Sequence, residues 1–137
     1  MTELDVVVAI ECADDIVTAR QAGRDMATKL DFSLTDVTMI TTAISEVARN
    51  ISKYADHGEI RLNVTTRRAH RALMVQAVDH GPGIANPDQA LEDGFSTGKG
   101  LGLGLPGSRR LMDDFQLEST LGEGTTVTMW KWLPPGV

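Results

Sequence analysis

A single cysteine, Cys12, stands in 137 residues, which excludes an intramolecular disulfide and any all-cysteine zinc site. Long apolar runs are missing as well. The longest near the start is Val6 to Ile10, far short of the roughly 20 residues of a membrane-spanning helix. Basic residues are outnumbered, 13 against 19 acidic ones, for a formal net charge of -6. The field of the whole chain therefore repels phosphate backbones and anionic lipid headgroups, and neither a nucleic-acid nor a membrane partner is expected. The start, Met1-Thr2-Glu3-Leu4-Asp5, carries neither the basic nor the apolar region of a signal peptide, so the expected location is cytoplasmic. No internal repeat or low-complexity tract is present. What remains is ordinary globular composition, 42% hydrophobic and 23% charged. Residues 1–137 are expected to form one domain that needs no staple, burying roughly two-thirds of its unfolded surface.

Glycine carries most of the local information, because ten of the 13 fall between positions 81 and 124. Backbone there must turn tightly or approach something closely. Ahead of that region, Leu4 to Ile10 reads as a short β-branched strand at a sheet edge. Apolar residues recur at helical spacing from Ala13 to Leu30. Ser33-Leu34-Thr35-Asp36 forms an N-terminal capping signal for a second, longer helix. Its stripe of Val37, Ile40, Ile44, Val47, Ile51 and Tyr54 is stopped by Asp56-His57-Gly58. Glu59 to Thr66 and Ala72 to Val78 read as a hairpin with a basic turn. A glycine-rich stretch then runs to Leu105, interrupted by a short helix around Asp88 to Glu92. Pro106 is placed to open a helix through Phe115. Leu117 to Thr120 and Thr125 to Leu133 read as a closing hairpin around Gly122-Glu123-Gly124, and Pro134-Pro135-Gly136 ends structure.

Three segments have chemical potential. Glu46 and Asn50, four apart on the second helix, leave the same flank. A carboxylate and an amide oxygen there suit a magnesium phosphate, since magnesium takes oxygen ligands and few protein groups; a solvated polar pair is the plain alternative. Asp79-His80-Gly81-Pro82-Gly83-Ile84 ends a strand with a carboxylate able to complement an exocyclic amine, or else forms a simple aspartate turn. Gly98-Lys99-Gly100-Leu101-Gly102-Leu103-Gly104 precedes a helix start, where bare amides and a lysine could cradle phosphates. The Gly102 to Gly107 match to G-x-G-x-x-G has no strand directly before it, so the dinucleotide reading fails. A Walker loop fails too, because Asp93 stands where its first glycine belongs and Gly100 follows Lys99. The H-R-D and D-F-G signatures of the protein-kinase fold are absent.

In this order, Glu46-x-x-x-Asn50, Asp79-x-Gly81-x-Gly83, Gly100-x-Gly102-x-Gly104 and Gly122-x-Gly124-Thr125 resemble the asparagine box and three glycine boxes of the GHKL ATP-binding superfamily. The resemblance sharpens to the anti-sigma-factor serine kinases, in particular the stressosome switch kinases. It rests on Ile40 to Asn50, on Glu92-Asp93-Gly94-Phe95-Ser96-Thr97 and on Gly104-Leu105-Pro106-Gly107 leading to Arg110-Leu111-Met112-Asp113, and it spans essentially the whole chain. It implies a two-layer α/β (α+β) sandwich with a mixed, mostly antiparallel sheet and ATP between the helical layer and a mobile lid.

Residue by residue, the resemblance makes Glu46 the catalytic base and Asn50 the ligand of Mg2+. It sets Asp79 on the adenine amino group, Gly83 at close adenine approach and Thr125 at the adenine edge through water. Gly81 and Ile84 belong to the same box. Thr97, Gly98, Lys99, Gly100, Leu101, Gly102, Leu103 and Gly104 form the phosphate lid. Lys53 reaches phosphate, and Tyr54 either packs on adenine or completes the core stripe. The implied activity is ATP-dependent phosphorylation of serine or threonine on STAS-domain proteins. Release from them frees the kinase to engage a further regulator such as a metal-dependent protein phosphatase. A nucleotide-tuned sequestration module of the anti-sigma type is the alternative; a histidine-kinase fragment ranks last, lacking a phosphoacceptor helix.

The remaining unusual residues read plainly. His57, His70 and His80 lack metal spacing and belong at the surface. Cys12 reads as small and semi-buried, and Met26, Met39, Met74, Met112 and Met129 as core filling. Arg67, Arg68 and Arg71 read as a solvated turn. Trp130 and Trp132 share one strand face, either core or partner surface.

Overall fold

The computed structural model describes residues 5–55, 57–84 and 101–134, with backbone only for 101–104. The strands are β1 (Asp5–Ile10), β2 (Gly58–Arg67), β3 (His70–Asp79), β4 (Asp114–Thr120) and β5 (Gly124–Trp132), and the helices are α1 (Ala13–Lys29), α2 (Leu34–Tyr54) and α3 (Leu101–Leu111). The strands form one sheet in the order β1-β2-β3-β5-β4. Every pairing among them is antiparallel, in line with the mostly antiparallel sheet that the family resemblance implied. β1 lies at the edge, as its short β-branched run predicts.

Alternation along the strands makes one face apolar. Val8, Ile10, Ile60, Leu62, Leu73, Val75, Val127 and Met129 are buried beneath the helices. α2 supplies the opposing surface with Val37, Ile40, Ile44, Val47 and Ile51, all at most 4% exposed, so the stripe read from the sequence is the central core ridge. Each such side chain contributes about 1.5–3 kcal/mol relative to an exposed one. α1 crosses α2 closely at Gly23, where a β-carbon would come within 2.2 Å of Ile44 Cδ1.

The helix starts follow local chemistry. Ser33 Oγ accepts from Asp36 N–H at 3.1 Å and caps α2. At α1, Asp15 Oδ2 accepts from the backbone N–H of Glu11 at 2.8 Å and of Cys12 at 3.2 Å. These bonds hold its carboxyl below the usual aspartate range. Cys12 itself is exposed at the N-cap, not semi-buried.

Several boundaries moved. α2 ends at Tyr54 with Ala55 as its cap, and Gly58 already belongs to β2. The β2–β3 turn places Arg68 and Ala69 at positive φ, 53° and 69°. α3 begins at Leu101 and contains Pro106 instead of opening at it. Proline there removes one helical N–H bond, and Gly102 and Gly104 are poor helix formers. Burial of Leu105, Ser108 and Met112 where α3 packs on α2 outweighs those costs. α3 also stops at Leu111, because Phe115, in β4, pairs with Met129 of β5 and turns toward the core. The helix expected at Asp88 to Glu92 lies outside the described residues.

Lys131 was not foreseen as a core group. The period of β5 turns it inward beside Met129, leaving it 6% exposed. Its Nζ donates to Leu111 O at 2.8 Å and lies 3.7 Å from Asp113 Oδ1 and 3.9 Å from Asp36 Oδ1. The ammonium thereby caps the C-terminal end of α3 and links it to the start of α2. Trp130 and Trp132 take the opposite, outer face. Trp132 Nε1 donates to Asp114 Oδ2, and the Arg67 guanidinium lies 5.5 Å from a Trp132 ring centroid, so Arg67 is more than a solvated turn residue. Met39 and Met74 are only partly buried, unlike Met26, Met112 and Met129.

Candidate active site

A cavity of about 170 Å³ opens between the C-terminal half of α2 and the β3–β5 end of the sheet. Val47, Ile51, Ala77, Leu105 and Val127 give it apolar walls, and Asn50, Tyr54, Asp79 and Thr125 supply polar groups. Flat apolar walls with few polar groups suit an aromatic ring whose edge must be read.

At one end, Asp79 leaves the last position of β3. Its Oδ1 accepts from Gly81 N–H at 2.9 Å and from Thr125 N–H at 3.2 Å. One carboxylate oxygen is thus spent on fixing the turn, and Oδ2 remains to accept from a ligand. Two glycines, one in each of the facing turns, answer to protein packing. A β-carbon on Gly83, at φ 79°, would come within 2.4 Å of Thr120 O, and one on Gly124, at φ 131°, within 2.1 Å of Asp79 O. The Asp79–Ile84 turn therefore docks directly on the β4–β5 turn. Gly122 N–H donates to Pro82 O at 2.9 Å, and Ile84 N–H to Ser119 Oγ at 2.7 Å. Ser119 was not singled out in the sequence; its only signal there is its place two residues before the Leu121-Gly122-Glu123-Gly124 turn.

Along α2, Ala55 abuts Gly81, with 2.7 Å from Ala55 Cβ to where a Gly81 β-carbon would be. Asn50 lies about 7.5 Å and Glu46 about 13.5 Å back along the axis from that point at the usual helical rise. Asn50 Nδ2 is buried and has no hydrogen-bond partner among the described residues, although the side chain lines the cavity. A half-turn of the amide exchanges its oxygen and nitrogen. Asn50 can therefore offer oxygen to a hydrated magnesium ion or N–H to phosphate. Among the described residues, no group of three or more His, Cys, Asp or Glu can hold a metal. That fits a cation bound by few protein groups together with phosphates.

The structure brings Asn50, Tyr54, Asp79, Gly83, Ile84 and Thr125 around one cavity. Tyr54 is thus a cavity wall, and Lys53 Nζ sits 6.0 Å from its ring centroid. Gly81 acts through its backbone N–H. Glu46 is outside the cavity lining, and its Oε1 accepts from Arg49 Nη1 at 2.6 Å. Thr97, Gly98, Lys99 and Gly100 lie outside the described residues. Leu101 to Gly104 are helical, so this part of the expected phosphate loop is the first turn of α3.

Residues 35–135 match the family described as histidine kinase-, DNA gyrase B-, and HSP90-like ATPase. The chain belongs to this ATPase family. Among curated relatives it is 52% identical to the serine/threonine-protein kinase RsbT of Bacillus subtilis, over 87% of this chain and 90% of that one. It is 30% identical to an anti-sigma F factor of Caldanaerobacter subterraneus subsp. tengcongensis, over 84% of this chain and 83% of the relative. With an anti-sigma F factor of Priestia megaterium the identity is 32%, over 84% and 82%. No described helix is long and apolar enough to cross a membrane.

Proposed function

We propose that this chain, a protein serine/threonine kinase of the ATPase family named above, is a switch in a partner-switching pathway. It phosphorylates STAS-domain regulatory proteins and, once released from them, engages a downstream regulator such as a metal-dependent protein phosphatase. The observation that carries the reading is the line from Asp79 to Asn50 to Glu46 along α2, a base-reading end followed by two oxygen-bearing side chains. An extended nucleoside triphosphate spans that distance. Likeness to a serine/threonine kinase and to anti-sigma factors supports a protein acceptor.

In this reading the adenine amine donates to Asp79 Oδ2, Tyr54 and Ile84 cover the base, and Thr125 meets its edge. Asn50 holds Mg2+, which when bound offsets phosphate charge. The family resemblance assigns the phosphates to Thr97 to Gly104 with Lys99, and Lys53 reaches them from α2. Phosphoryl transfer has a loose transition state, so alignment and charge stabilisation dominate. The γ-phosphorus bond to the bridging oxygen of ADP breaks as a bond to the acceptor hydroxyl oxygen forms. The hydroxyl proton passes to the Glu46 carboxylate, which must first leave Arg49. That exchange is cheap, because an exposed i,i+3 pair contributes only about 0–1 kcal/mol.

Glu46→Gln is expected to retain ATP and lose transfer by about two to four orders of magnitude. Transfer of labelled γ-phosphate at the wild-type rate would remove Glu46 from the mechanism. The second reading, sequestration with little catalysis, is favoured by the anti-sigma relatives. Incubation with ATP and STAS proteins followed by mass spectrometry separates the two: tightly held but unmodified partners would favour sequestration.

A further inference from the structure

Ser119 sits where the two docked turns meet, on the last inward-facing position of β4, opposite Thr125. Its hydroxyl has three neighbours. Ile84 N–H donates to Oγ at 2.7 Å, Gly124 O lies at 3.1 Å, and Thr125 Oγ1 lies at 2.8 Å. A serine hydroxyl has one proton and two lone pairs. The amide can only donate and takes one lone pair. The carbonyl can only accept and takes the proton. What is left for Thr125 is the second lone pair, so Thr125 must give its own proton to Ser119.

This inventory has a consequence in the cavity. With its proton committed, Thr125 offers only lone pairs to a ligand. The Asp79 carboxylate also offers only lone pairs, and with Oδ1 taken by the amides of Gly81 and Thr125 it is Oδ2 that is left for a ligand. The Asp79 end of the cavity is then an accepting edge, suited to a base that presents an amine and hostile to one that presents a carbonyl there.

We infer that Ser119, which is not among the residues lining the cavity, is a positioning residue that sets base selectivity by orienting the Thr125 hydroxyl, so that 6-amino purine nucleotides are accepted and 6-oxo ones refused. The inference rests on the nucleotide reading of the cavity and adds a residue outside its wall. Without the Ser119 hydroxyl, the Thr125 proton is free to swing into the cavity and meet a carbonyl. The Asp79 carboxylate still disfavours the 6-oxo base, so selectivity is reduced and not abolished.

The test is a pair of calorimetric titrations, magnesium ATP and magnesium inosine triphosphate, on the wild type, Ser119→Ala, Ser119→Thr, Thr125→Val and the Ser119→Ala/Thr125→Val double variant. The ATP-to-inosine-triphosphate affinity ratio is expected to fall about three- to tenfold in Ser119→Ala, the worth of one hydrogen bond. It is expected to recover in Ser119→Thr, and Ser119→Ala should leave the ratio unchanged when Thr125 is already Val. If the alanine variant does not fold, Ser119→Cys replaces it, since a thiol is a weak acceptor and should also lower the ratio. A merely structural strut would weaken both nucleotides by one common factor. An unchanged ratio in a variant that still binds ATP, or an equal fall in the Thr125→Val background, overturns the inference alone. A wild type that binds neither nucleotide overturns the nucleotide reading with it.

Discussion

Gly83 and Gly122 share a left-handed backbone, at φ 79° and 81°, yet differ in what surrounds them. An added β-carbon at Gly122 meets nothing within 4 Å, whereas at Gly83 it comes within 2.4 Å of Thr120 O. Alanine at either position carries the left-handed penalty of about 1–2 kcal/mol. Both also gain back about 0.4–1 kcal/mol by stiffening the unfolded chain. Gly122→Ala should therefore cost about 1 kcal/mol. Gly83→Ala must in addition push the two turns apart. That strains the bonds from Gly122 N–H to Pro82 O at 2.9 Å and from Ile84 N–H to Ser119 Oγ at 2.7 Å. At about 1 kcal/mol for each bond, its total comes to about 3 kcal/mol. Urea denaturation read by the midpoint at unchanged slope measures both. Calorimetric titration with magnesium ATP should show weaker binding for Gly83→Ala and near-normal binding for Gly122→Ala. Equal stability losses in the two variants would refute the docking argument. A Gly83→Ala variant as stable as Gly122→Ala but unable to bind ATP would mean that the glycine serves close approach of the base alone.

Other consequences follow from single groups. Lys131→Ala should destabilise by about 2–4 kcal/mol, by opening a cavity and freeing the Leu111 carbonyl. Lys131→Met, which fills the space, should cost visibly less; equal costs in urea denaturation would mean that packing around this side chain does not matter. Asp15 has its folded pKa below the ordinary 3.8, so the stability it adds is present above that value and is lost as pH falls through its folded pKa. The difference in melting temperature between wild type and Asp15→Asn should then be full near neutrality and close on acidification below pH 3.8; a difference that widens in acid contradicts the capping geometry.

Most of the scaffold was legible because its elements obey a single period. The α2 stripe from Val37 to Ile51 and the alternation of β2 and β3 each have one apolar face, and one face is all a two-layer fold requires. The errors fall where tertiary packing overrides a local rule. Pro106 obeys the rule for a first helical residue, yet α3 begins at Leu101, upstream of it, where Leu105 is buried. Phe115 fits a helical spacing, yet pairing with Met129 draws it into the sheet. Lys131 was not singled out in the sequence, since only the register of β5 turns it under α3. At the site, Asp79, Asn50 and Thr125 could be named because their boxes are short and ordered. Ser119 could not, since its role depends on a turn 35 residues earlier reaching its hydroxyl.

The most direct measurement is calorimetric titration of magnesium ATP into the wild type and Asp79→Asn. Asparagine keeps Oδ1 for the amides of Gly81 and Thr125 but replaces Oδ2 with an amino group that faces the adenine amine. Saturable binding to the wild type, with affinity lost by about tenfold or more in a variant of unchanged melting temperature, is the predicted result. Equal affinity in both proteins, or no heat from the wild type, would contradict the seating of adenine at Asp79.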